Sequence, residues 1–168
     1  KEIPSYDLTI TNGSLNSIAQ KLSCNSSIAD WWAKINEKFN NECFPIARLL
    51  NNNKDSLFLF ALTKSYFNLI SSEFSKINDK SKIRLFGFRD SNNLVESIKK
   101  YFLPYDPLKF DGPDSENNGI KNDYPRRVMR HYVEHILTQL KEPNFEQESK
   151  LVEEYLSNKT PQKILKNK

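Results

Sequence analysis

Apolar residues recur at three- and four-residue spacing through most of this chain, and only four glycines (Gly13, Gly87, Gly112, Gly119) interrupt its 168 residues. A domain built of many short strands needs turn signals at roughly every 8 to 12 positions. Here the turn-forming dipeptides fall between long helix-patterned segments instead. The pattern predicts an all-α fold: one helical bundle of about six to seven helices with an extended N-terminal arm.

The first 13 residues read as that arm, because Ile3 to Ile10 alternates as an extended segment does. Residues 14–158 read as the helical domain and 159–168 as a basic, frayed tail. Ser14 or Asn12 can cap a helix over Leu15 to Leu22. A second helix runs from Ser27 to about Asn40, with Ile28, Trp31, Trp32, Ile35 and Phe39 at helical spacing. Trp31 and Trp32 point about 100° apart, so they read as two core aromatics or, alternatively, as a stacking platform for bases.

Pro45 starts a short helix through Leu50, and Asn51 to Lys54 form a loop. Asp55 or Ser56 then caps the strongest helical pattern, Leu57 to about Ile77. Its apolar residues wrap most of the circumference, which places it at the centre of the bundle. Ile83 to Phe88 is extended or irregular, and Ser91 to about Phe102 is a helix stopped by Pro104. A long acidic, polar loop follows at about 104–122. A last amphipathic helix covers about Phe145 to Leu156.

The chain size allows roughly two thirds of the unfolded surface to be buried. With hydrophobic residues at 38% and mean hydropathy of −0.68, the core leans on its 11 Phe, 7 Tyr and 2 Trp. The net charge of +4 is compatible with a polyanionic partner, although lysine is spread rather than blocked. No apolar run approaches the roughly 20 residues that span a bilayer, so no membrane role is expected. Cys24 and Cys43 are too few for a metal cage or a disulfide framework. A start at Lys1 without Met suggests a piece of a longer protein, whose remainder is then one candidate partner. An intracellular setting, cytoplasmic or nuclear, is the expected compartment. The sequons at Asn12, Asn25 and Asn158 leave a secretory route open.

Both histidines, His131 and His135, lie four residues apart in the segment Pro125 to His135. Asp123 stands near its cap and Pro125 in its first turn. Placed at about 100° intervals, Pro125, Val128, Met129, Tyr132, Val133, Ile136, Leu137 and Leu140 share an apolar arc, and Pro143 ends the helix. Arg127, Arg130, His131, Glu134, His135 and Thr138 share the opposite arc, with Arg126 at its edge. A His and an Arg on one helix face supply half of a metal-independent RNA-cleaving apparatus: a base near neutral pH and a planar phosphate fork.

Arg130-His131-Tyr132-Val133-Glu134-His135 resembles the signature of HEPN-domain proteins, an Arg followed by a polar residue, with a His four to six residues after the Arg. The resemblance implies an all-α, commonly dimeric fold and a metal-independent endoribonuclease without a cofactor. In it Arg130 and His135 would be catalytic across a homodimer, and His131 would be the polar second residue. His131-Tyr132-Val133-Glu134-His135 also matches the H-x-x-E-H zinc pattern, with Glu134 as base and one of Glu142, Glu146, Glu148, Glu153 or Glu154 as a further ligand. The third reading, on which we settle, is a helical interaction domain that binds a protein or nucleic-acid partner, RNA among them, through Arg126, Arg127, Arg130 and Tyr132, with no metal or cofactor. Gly-rich phosphate loops, a nucleophile elbow and a C-x-x-C pair are all missing from the sequence.

Overall fold

A computed structural model describes residues 27–87, 96–112 and 123–160, with position 17 helical. The expected arm, the helix over Leu15 to Leu22, Cys24, most of the acidic loop and nearly all of the basic tail lie outside these residues. Two helices form where local signals placed them. Helix α1 (Ile28–Asn40) is fixed by a reciprocal cap, in which the Asp30 amide donates to Ser27 Oγ at 3.1 Å and the Ser27 amide donates to Asp30 Oδ2 at 2.9 Å. Pro45 opens α2 (Pro45–Asn52), which runs through part of the expected asparagine loop.

The segment expected to be the central helix is instead a strand followed by two short helices: β1 (Phe58–Ala61), α3 (Lys64–Leu69) and α4 (Ser71–Ser75). Strand β2 (Ile83–Phe86) pairs in parallel with β1, Phe58 opposite Ile83 through Ala61 opposite Phe86. A parallel pair requires a crossover, and α3 and α4 supply it. On the other side of β2, the Leu85 amide donates to the Tyr101 carbonyl and the Leu103 amide to the Leu85 carbonyl, a parallel bridge at Phe102. This pairing ends the preceding helix, α5 (Glu96–Lys99), short of Phe102.

The small sheet divides two cores. Phe58 and Phe60 of β1, with Ile83 and Leu85 of β2, face a cluster closed by α1, α2, α3 and α4, including Ala47, Leu50, Phe67 and Phe74. Leu59, Ala61 and Phe86 face the other cluster, formed with α6 (Pro107–Phe110), α7 (Tyr124–His131) and α8 (Phe145–Ser157). A strand covered on both faces is apolar on both faces, which is why the sequence around Leu57 to Leu62 carries no polar side. The molecule is therefore mostly helical but not the pure all-α bundle expected from periodicity. Among the described residues, no helix is long and apolar enough to cross a membrane.

The described part of the expected acidic loop, 104–112, holds α6 and buries Tyr105, Phe110 and Gly112. Helix α7 continues as one π-helical turn, Tyr132–Ile136, and a 3₁₀ turn, Leu137–Gln139, so it stops short of Pro143, the expected terminator. Asn144 caps α8, accepting from the amides of Glu146 and Gln147 at 3.1 Å.

Candidate functional site

Helix α7 is held by its first turn and by one face. Tyr124 and Pro125 are buried at the start, and Val128, Tyr132 and Ile136 fill the second core. The 104–112 segment docks across the helix through polar ties. Tyr124 Oη donates to the Tyr105 carbonyl at 3.1 Å, and Arg127 forms a two-pronged ion pair with Asp111, Nη2 to Oδ2 at 2.9 Å. Asp111 holds the Arg127 guanidinium above its ordinary pKa.

His131 leaves the polar face where 100° spacing had put it, with only 4% of its surface exposed. Its Nδ1 meets Tyr105 Oη at 2.8 Å. Tyr155 of α8 packs on the ring at a centroid distance of 4.0 Å, while Phe110 meets it edge-on at 5.6 Å. The His135 ring lies 4.9 Å away. Burial, with His135 and Lys159 as nearby cations, depresses His131 to about 4, so it is neutral at pH 7. Burial also pushes the Tyr105 phenol above its ordinary range, so it keeps its proton. With the imidazole proton on Nε2, Nδ1 accepts from the phenol, the stronger donor of the two.

The expected site residues thus separate. Arg126 and Arg130 stay on the surface, their side chains 79% and 77% exposed, beside Asp123 and Glu134 respectively. His135 is also exposed. Tyr132, expected as a surface contact, has no exposed surface, because it packs on Phe86 in the second core. Arg127 is turned to Asp111 rather than outward. His131 is committed to Tyr105, and among the described residues no three or more metal-ligating side chains come together, so the geometry offers nothing to the zinc reading. Glu148, one of its candidate ligands, is buried on Arg84. Trp31 and Trp32 pack on the first core rather than forming an open platform, and Trp32 Nε1 donates to Glu73 Oε1 at 2.9 Å.

Sequence reasoning missed Tyr105, Phe110 and Tyr155, which enclose the histidine, and Asp111, which holds Arg127 beside it. The only signal of the three rings was the aromatic richness of the chain, which carries no positional information. It also passed over Arg84, the one charge in the strand Ile83-Arg84-Leu85-Phe86 and a visible anomaly in an apolar run. No family model, curated protein or solved structure matches the chain.

Proposed function

We propose that this chain is an interaction domain that docks an anionic partner, a nucleic acid or an acidic protein segment, on the outer face of α7. The observation that carries this reading is the placement of Arg126 and Arg130, one helical turn apart and both about four-fifths exposed, with Val133 at 41% exposure a turn further on. Their pairs with Asp123 and Glu134 are solvent-exposed, so a partner's phosphates or carboxylates can replace them at little cost. Titration of fluorescent single-stranded RNA and of an acidic peptide, at several salt concentrations, tests the reading. Binding of either that weakens with salt and with the Arg126→Ala/Arg130→Ala double variant supports it. Absence of binding to both at low salt overturns it.

A second reading, a HEPN-like metal-independent endoribonuclease using Arg130 and His135 across a homodimer, is favoured by the π turn. Residues five apart sit about 140° apart on an α-helix. The wider turn, closed by the Leu137 amide on the Tyr132 carbonyl, contains His135 and rotates less per residue than an α-helix, which narrows that angle, and such turns recur at functional sites. His131 would then act as a positioning residue, packed behind His135. The small parallel sheet is not part of the all-α architecture this resemblance implies. RNA cleavage in excess EDTA that is lost in Arg130→Ala/His135→Ala supports this reading, and no cleavage by dimeric parent protein removes it.

A further inference from the structure

We propose that the aromatic box around His131 is an acid-sensitive latch that holds the C-terminal end of α8 against α7 and the 105–112 segment, and that protonation of the imidazole opens it. The box is assembled from three separate stretches: Tyr105 and Phe110, His131 and His135, and Tyr155. The chain beyond Tyr155 docks beside it. The Thr160 carbonyl sits so close to Gly112 that a Cβ there would lie 2.1 Å from it.

Of the charges around the ring, only Glu134 favours an imidazolium, and burial together with the cationic groups outweighs it. From the chain just past α8, Lys159 lies over the Tyr155 ring at 5.0 Å and acts on His131 as a cation. From its own helix come His135, a second potential cation, and Glu134, which is bound to Arg130. Arg127 and Asp111 neutralise each other at the docked segment. On the sheet side, the Arg84–Glu148 pair is closed on itself beside Tyr132. Among the described residues the ring's hydrogen-bond partner in the box is the Tyr105 phenol, and a protonated ring reverses that bond: Nδ1–H must donate to Tyr105 Oη, whose own proton then has to find another acceptor inside the aromatic box. A cation in this box would also lose water without gaining an anion in direct contact, since Glu134 is held by Arg130.

An opened ring regains the ordinary histidine value near 6.5. The open form then binds more protons than the closed one, so acid drives opening. The open-to-closed ratio should be about 30-fold larger at pH 5 than at pH 7.5, given a closed-state value of about 4.

The two tryptophans supply a control, since both lie on the first core and not on this box. Amide exchange of residues 155–160 and 105–112, corrected for intrinsic rates, is measured across this pH range together with tryptophan emission. The expected result is exchange that accelerates about 30-fold while emission stays native. His131→Phe should abolish the acceleration. Lys159→Gln should shrink it by letting the closed box bind a proton more readily. Equal acceleration in the parent protein and both variants, no acceleration in the parent, or emission that changes in step with exchange would each overturn the latch.

Discussion

Arg84 of β2 and Glu148 of α8, 64 residues apart in sequence, form a two-pronged ion pair from which solvent is excluded, Nη2 donating to Oε1 at 2.9 Å. Arg84 also donates to the carbonyls of Ser81 and Ile83, and its guanidinium lies 5.3 Å from the Phe145 ring. The pair ties the last helix to the sheet. Removing one member leaves a buried, uncompensated charge, so Arg84→Met or Glu148→Leu alone should cost about 3–5 kcal/mol in urea unfolding. The double variant Arg84→Met/Glu148→Leu should recover most of that loss. Additive losses in the double variant would contradict this account.

Glu73 has the same role in the first core. Fully buried, it accepts from Trp32 Nε1 and from the Ala47 amide at 2.8 Å, joining α4 to α1 and α2. Glu73→Ala leaves two donors without an acceptor and should destabilise by about 2–4 kcal/mol. Tryptophan emission should shift even in the folded variant, because the indole loses its partner.

Global stability should depend on pH through His131. Its folded-state value, about 4, lies below the ordinary 6.5, so the unfolded chain binds more protons between the two. The contribution is complete above pH 6.5 and is lost as pH falls toward 4, on the order of 3 kcal/mol in total. Urea midpoints of the parent protein and His131→Phe should converge over this interval. Parallel midpoints would show that other groups carry the acid sensitivity.

Gly112 is required by contact. A methyl group there meets the Thr160 carbonyl at 2.1 Å and the Lys109 carbonyl at 3.1 Å, both backbone atoms. Gly112→Ala should cost about 1–3 kcal/mol and should speed amide exchange at the end of α8 before it affects α1.

If RNA is the partner, Arg126 and Arg130 each contribute a phosphate contact. Arg126→Ala should then lower the slope of log affinity against log salt by about 1, uniformly across RNA sequences. Lys38, at the end of α1, serves as a control substitution of equal charge on another helix.

Much of the local architecture was legible. Ser27, Pro45 and Pro125 mark helix starts through interactions within a few residues, and the helices begin at or next to them. Leu57 to Ile77 was misread because an apolar run without a polar side describes equally a buried helix and a strand covered on both faces. Choosing between them requires knowing that Ile83 to Phe86 pairs alongside, and no local pattern contains that information.

The site divides along the same line. Sequence alone determined that any titrating imidazole chemistry belongs to one short helical segment, and that Arg126 and Arg130 stand one turn apart on it. Tertiary structure decided which side chains remain available. Tyr105, 26 residues before His131, and Tyr155, 24 residues after it, close over the imidazole and remove it from the surface. Helical spacing fixes a side chain's direction around its own axis, whereas burial depends on what distant chain arrives in that direction. Here those arrivals left Arg130 and His135 in solvent and made His131 part of the core.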